Sequence, residues 1–161
     1  MLPITKLTKP DFDEIIERME VFWGVRNDKI LSHHHPMCLH EFGDTAFVAK
    51  DDGKVVAYLF GFISQTQPDV AYGHALACDP NYRGSGVVED LCSRFLEEVQ
   101  ARGCTRMKVL VFPKNFRSVL YHMKMGFQPE GTERDQNGVR ITRDYWGPGL
   151  DYVVMYRSTE P

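Results

Sequence analysis

The sequence predicts an α/β (α+β) domain in which a mixed sheet is covered by helices. Three observations carry that prediction. Apolar runs of strand length recur at 46–49, 55–64, Val70–Cys78 and 107–112. Between them lie apolar residues at helical spacing, best seen in Val88, Leu91, Cys92, Phe95, Leu96 and Val99. Glycine- and proline-marked turns separate the two kinds of segment.

The chain has 161 residues, a length that suits one domain, 1–161, with its own core. Residues 2–7 read as a first strand. Thr8-Lys9-Pro10-Asp11 has the form of a capping box with an early proline, and Phe12, Ile15, Ile16 and Met19 follow on one helical face. Trp23-Gly24 breaks that helix, and 27–41 is ambiguous, with Pro36 interrupting any second one. Asp51-Asp52-Gly53 joins the next two apolar runs as a hairpin. Along Val70–Cys78 strict alternation puts Tyr72, His74, Leu76 and Cys78 on one face. A helix over 87–102 stops at Gly103, a strand covers 107–112, and Asn115 caps a helix over 116–125 that ends at Gly126. A strand restarts at 127–130, a long polar loop fills 131–150, and 151–157 is the last strand.

Composition excludes several classes of protein. A net charge of −3 is no footprint of a nucleic-acid binder. The N-terminus lacks the apolar core of a signal peptide, and no apolar run approaches the ~20 residues of a membrane span. A cytoplasmic protein with no membrane and no nucleic-acid partner is therefore expected. Cys38, Cys78, Cys92 and Cys104 lack CxxC spacing and read as reduced, packed thiols.

The segment most telling of chemistry is Arg83-Gly84-Ser85-Gly86, set between a strand and a helix. The first N–H groups of a helix lack intrahelical partners, and the helix dipole makes that end positive. Glycines let a ligand approach the backbone, so the turn can hold a pyrophosphate, with Arg83 adding charge. On these residues alone, a bare glycine turn remains the alternative.

The wider segment, Leu76-Ala77-Cys78-Asp79-Pro80-Asn81-Tyr82-Arg83-Gly84-Ser85-Gly86-Val87, closely resembles the acetyl-CoA signature of the GNAT superfamily of N-acetyltransferases. Val88 departs from it, standing where the family prefers glycine or alanine. Asn115-Phe116-Arg117-Ser118-Val119-Leu120-Tyr121-His122-Met123-Lys124-Met125-Gly126-Phe127 is similar to the family's second motif, at the expected separation. The resemblance covers about 43–127. It implies a single domain with a central, mostly antiparallel sheet splayed at the acetyl-CoA site, and acetyl-CoA as cosubstrate. It further implies that amides from Gly84 through Ser85, Gly86 and Val87 to Val88 hold the pyrophosphate. Backbone around Leu76, Ala77 and Cys78 would place the pantetheine arm, with Asn115 and Ser118 as further cofactor contacts. The segments left to select the acceptor are about 20–42 and 131–150.

Acetyl transfer to an amine needs a base, because an alkyl ammonium with a pKa near ~10 cannot attack a thioester. It also needs a proton for the departing thiolate. His74, on the strand leading into the glycine loop, is the base candidate, and its placement resembles that of a base histidine in arylalkylamine acetyltransferases. A packed strand histidine is the alternative. His122 stands five residues before Phe127, where many GNAT enzymes have an acid tyrosine and phosphinothricin-type relatives look to have histidine. Tyr121, its neighbour, is the second acid candidate; the two point about 100° apart, so both do not reach one sulfur.

Trp23, Arg26, Tyr72, Tyr145 and Trp146 are candidates for the acceptor cleft, and Asp144 and Asp151 for holding an ammonium group. His33-His34-His35 with His40 invites a metal reading, but consecutive histidines do not converge from regular structure, and no metal is expected. The leading function is N-acetylation of a primary amine of a small molecule or amino acid. The alternatives are acetylation of a protein N-terminus or lysine, and a sensor module that holds acyl-CoA without transfer. Many GNAT relatives dimerise, which leaves a homodimer open.

Overall fold

The computed structural model describes residues 1–160. Its strands are β1 (Ile4–Lys6), β2 (Ala46–Asp51), β3 (Lys54–Ile63), β4 (Val70–Cys78), β5 (Arg106–Val111), β6 (Gln128–Glu130), β7 (Glu133–Arg134), β8 (Arg140–Gly147) and β9 (Leu150–Ser158). The helices are α1 (Lys9–Glu17), α2 (Met19–Trp23), α3 (Asp28–His33), α4 (Met37–His40), α5 (Val87–Ala101) and α6 (Phe116–Lys124). The sheet runs β1-β2-β3-β4-β5-β9-β8-β7, with β6 also paired to β9. Among the described residues only β4 and β5 pair in parallel, so the expected mixed, mostly antiparallel sheet is what forms.

Each face of the sheet buries its own cluster. Under α5 and α6, Leu91, Phe95 and Val99 pack with Phe47, Leu59, Met107 and Met155. Under α1 and α2, Phe12, Ile15 and Phe22 pack with Val48, Tyr58 and Phe60. The hairpin between β2 and β3 turns at Asp52 and Gly53, both at positive φ (46° and 77°), the backbone that an Asp-Gly pair adopts in a tight turn.

Three expectations are corrected and one ambiguity is resolved. The first helix breaks at Arg18, one turn before the anticipated Trp23-Gly24 stop. There the guanidinium donates to the Val55 carbonyl at 2.6 Å and to Asp79 at 3.1 Å, which ties the break to the sheet. The ambiguous 27–41 segment forms two short helices, with Pro36 at the start of the second. The polar loop at 131–150 is largely β7 and β8. It reads as loop because it forms an edge hairpin whose side chains are mostly exposed, Ile141 alone being buried.

The third correction lies in β4. Phe60 pairs with Ala75 and Gly61 with Gly73, so His74 is an extra residue opposite β3. A bulge of this kind swaps faces. Leu76 packs with the α5 cluster while Ala75 and Ala77 join the α1 cluster. Tyr72 instead meets Phe62 at 5.0 Å, and His74 meets Tyr72 and His33. Tyr72 and His74 therefore do not share a face with Leu76 and Cys78.

Candidate active site

Parallel pairing of β4 with β5 stops at Gly73 and Val109. Beyond that point β4 stays with β3 through Cys78, while Leu110 and Val111 of β5 stay with β9. The strands part, and a cleft of about 480 Å³ opens between them. A Cβ on Gly73 would lie 2.7 Å from Met107 Cε and 3.1 Å from Val109 Cγ1, so glycine fits where the strands are still in contact.

On one side the cleft meets a groove of about 420 Å³ at the start of α5. Leu76, Ala77, Cys78, Arg83, Gly84, Gly86, Val87 and Val88 line it from the strand and loop, and Ser118, Tyr121 and His122 from α6. Gly84 and Gly86 sit at φ of 77° and 89°, and a Cβ on either would touch nothing within 4 Å, so the turn is open to a ligand. Arg83 N–H bonds the Pro80 carbonyl and Ser85 N–H the Tyr82 carbonyl, but the amides of Gly84, Gly86, Val88 and Glu89 have no partner among the described residues. Ser85 does not line the groove; its hydroxyl donates to the Tyr82 carbonyl and accepts from Val87 N–H at 3.4 Å, which shapes the turn. Arg18, which the sequence reading missed, secures the loop's base through Asp79, whose other oxygen accepts from Asn81 N–H. These unpartnered amides and open glycines fit a pyrophosphate. Arg117 and Lys124, also unforeseen, add positive charge to the same groove.

The cleft and groove share Leu76, Ser118 and His122. Burial holds His122 below histidine's ordinary range, opposed by its bond to the Ser118 carbonyl. A carbonyl only accepts, so Nδ1 carries the hydrogen in that 2.8 Å bond and Nε2 keeps its lone pair when the ring is neutral. Tyr121 lines the groove and not the cleft, and its hydroxyl lies 3.4 Å from Glu89. Burial and then Glu89 push its pKa well up, so it stays protonated. Asn115 caps α6 through Ser118 N–H and lines the cleft instead of the groove at the start of α5.

The other side of the cleft is bounded by Trp23, by Lys29, Ile30 and His33 of α3, and by His74, Phe112 and Tyr152. His74 Nε2 donates to the His33 carbonyl at 2.8 Å, which leaves Nδ1 with the lone pair. Trp146, at the β8–β9 tip, meets His33 edge-on at 6.2 Å and Tyr152 at 5.5 Å, so the hairpin reaches α3 across this end of the cleft. Tyr72 and Tyr145 line a neighbouring recess of about 240 Å³ with Lys108, which donates to Tyr145 at 2.6 Å. Burial, then Tyr145 and Tyr152, push the Tyr72 hydroxyl up to about 12.

Some candidates lie elsewhere. Arg26 is exposed and donates to the Ile16 carbonyl at 3.1 Å, away from the cleft. Asp144 and Asp151 serve the hairpin itself: Asp144 accepts from Gly149 N–H, and Asp151 accepts from Asp144 N–H and faces Arg143. The histidine run disperses, with His33 in the cleft, His34 buried and His35 exposed. The sequence reading also missed Lys29, Phe112 and Tyr152. Lys29 and His33, one helical turn apart after the Asn27 cap, could have been read as one helix face.

The family model for the Acetyltransferase (GNAT) family matches residues 9–127, and the chain belongs to that family. The match begins well before the signature motifs and takes in α1 to α4. A curated relative, L-2,4-diaminobutyric acid acetyltransferase of Shouchella clausii (strain KSM-K16), is 26% identical over 123 residues, 76% of this chain and 69% of the relative. The crystal structure of the ribosomal-protein-S18-alanine N-acetyltransferase from Escherichia coli superposes with a TM-score of 0.70 at 18% identity, covering 100% of this chain and 96% of that one. An aminoglycoside 6'-N-acetyltransferase complexed with coenzyme A gives a TM-score of 0.67 at 13% identity, covering 99% and 98%. The protein is thus a GNAT acetyltransferase, and two solved structures similar to it, the aminoglycoside enzyme among them, hold acetyl-CoA or coenzyme A. Among the described residues no helix is long and apolar enough to cross a membrane.

Proposed function

We propose that this chain moves an acetyl group from acetyl-CoA directly to a primary amine of a small molecule. The observation that carries the reading is the continuity of the cofactor groove with the acceptor cleft at Leu76, Ser118 and His122. A thioester held by the groove is met from the far side, through the splay, by an amine.

The attacking nitrogen forms the new C–N bond, the C–S bond breaks, and one proton must travel from nitrogen to sulfur. His74, through Nδ1, first takes the proton from the ammonium form of the acceptor. His122 lines both spaces and is neutral at rest, so its Nε2 accepts the proton released as the C–N bond forms. It then acts as the acid toward the departing sulfur. Tyr121 keeps its hydroxyl proton and is the second candidate for that delivery. A covalent acetyl-cysteine is disfavoured. Burial and then Asp79 raise the Cys78 thiol, and burial pushes Cys92 up to about 12, so neither supplies a thiolate near neutrality.

A small acceptor is favoured over a protein by the His33–Trp146 contact, since a polypeptide lying through the cleft would have to part it. The name of the Shouchella clausii relative points the same way. The test is release of free thiol from acetyl-CoA across a panel of small amines and of peptides. Turnover with small amines supports the proposal. Turnover with peptides alone moves the assignment to protein acetylation, and tight acetyl-CoA binding without any turnover makes the chain a sensor.

A further inference from the structure

The acceptor side of the cleft carries positive charge and no negative charge. Among the described residues, neither the cleft nor the Tyr72–Tyr145 recess beside it is lined by an aspartate or glutamate, whereas Lys29 lines the first and Lys108 the second. Lys29 Nζ stands 5.6 Å from the Phe112 ring centroid and, among the described residues, has no carboxylate within 4 Å. Lys108 is already committed to the Tyr145 hydroxyl at 2.6 Å. Of the acids of the hairpin, Asp144 turns Oδ1 to Gly149 N–H, and Asp151 accepts from Asp144 N–H and faces Arg143. The local field agrees: besides burial, the groups that hold His33 low are His74 and Lys29, both cationic when charged.

An acceptor carrying a second cation would find no counter-charge here and would be repelled. An acceptor carrying an anion would find an unpaired ammonium beside the aromatic wall of Phe112. Resting on the reading of this cleft as the acceptor site, we propose that the acceptor is an amine that also bears a carboxylate, and that Lys29 binds that carboxylate. Lys29 is then a specificity-determining residue. It orients the acceptor with its amine toward His74, on the same wall.

The test uses matched acceptors: 4-aminobutyrate against butylamine, and 2,4-diaminobutyrate against 1,3-diaminopropane. In the wild type, kcat/KM from thiol release is expected to be about tenfold higher for the carboxylated member of each pair, as for a charge-assisted hydrogen bond. In Lys29→Met that ratio falls by about the same factor, mainly through KM, and Lys29→Arg retains most of it. Equal use of both members by the wild type, or a ratio unchanged in Lys29→Met, overturns the assignment. Calorimetry of 4-aminobutyrate on the coenzyme A-loaded protein reads binding without turnover. Binding weakened in Lys29→Met supports the site even if no thiol is released, in which case the transfer reading alone fails. Binding indifferent to Lys29 overturns the inference whatever the turnover.

Discussion

His122 is tethered to Ser118 twice within one helical turn, with Nδ1 2.8 Å from the Ser118 carbonyl and 3.3 Å from its hydroxyl. The tether fixes the tautomer, and T-shaped contact with Phe127 at 5.5 Å fixes the ring plane. A ring so held, and kept neutral by burial, suits a proton relay. His122→Phe keeps the aromatic packing and removes Nε2. It is expected to lower kcat by about 10–100-fold while acetyl-CoA affinity changes little. A larger loss in Tyr121→Phe would exchange the two roles.

The glycine turn predicts a graded effect at Gly86. Its φ of 89° strains any other L-residue, but a Cβ there meets nothing within 4 Å. Gly86→Ala is expected to fold and to keep most of its acetyl-CoA affinity, at a cost of about 1–2 kcal/mol in stability. Gly86→Glu puts bulk and negative charge against the phosphates, and calorimetry is expected to show no binding. Unchanged affinity in a folded Gly86→Glu protein would remove the cofactor-site assignment.

Gly61 answers to packing instead of ligand access. A Cβ at this position would sit 2.5 Å from Phe95 Cε2 and 2.7 Å from the Tyr72 carbonyl oxygen, and the latter is backbone that cannot step aside. Gly61→Ala is expected to cost about 1–3 kcal/mol in urea unfolding. At Gly73 the nearest atom is the flexible end of Met107, so Gly73→Ala is expected to cost less. The reverse order would mean that the strand bulge relaxes more easily than the core.

His74 is expected to govern how the rate depends on free amine. His74→Phe removes Nδ1, the nitrogen left with a lone pair, and also the bond to the His33 carbonyl. The rate at neutral pH falls, and part of it returns at high pH, where more of the acceptor is already unprotonated. A pH series of kcat/KM for both proteins decides the matter. Superimposable profiles would make His74 a structural residue, and a uniform loss at every pH would make it a positioning one.

How far the sequence carries is visible in particular residues. The apolar periodicity of α5 and the runs of β2 to β5 were legible because burial there follows a regular repeat. The glycine turn was legible because positive φ restricts residue choice. The bulge at His74 was not, since the letters keep alternating while the register shifts against β3. The β7–β8 hairpin was hidden because an exposed edge needs no apolar code. Lys29 was hidden for a different reason: its place in the cleft depends on α3 folding back toward the ends of β5 and β9, a tertiary fact.

Acid stability gives the last prediction. His33, His34 and His122 are all held below histidine's ordinary value, with burial the first cause in each. His34 is the most enclosed, at 2% exposure, and its bonds define its state. Nδ1 donates to the Ile30 carbonyl, so Nε2 accepts from the Tyr58 hydroxyl at 2.8 Å, and Tyr58 in turn accepts from Trp23 at 2.6 Å. A proton on Nε2 would leave the Tyr58 hydroxyl without its acceptor. The unfolded chain binds protons from about pH 6.5 downward while the folded chain does not. The stabilisation is therefore present above ~6.5 and is lost as pH falls from there through the lowered folded values. The carboxylates kept low do not intervene. Asp11, where burial opposes its Lys50 and Thr8 bonds, and Glu98, held chiefly by Arg102, lose their contributions only near or below pH ~4. Urea midpoints are thus expected to fall between pH 7 and pH 5. Each participating histidine adds up to about 1.4 kcal/mol per pH unit of slope. His34→Phe starts less stable, because Tyr58 and Ile30 lose a partner, yet declines less steeply with acid. Equal slopes in the two proteins would show that His34 does not resist protonation, and the fall would then belong to His33 and His122.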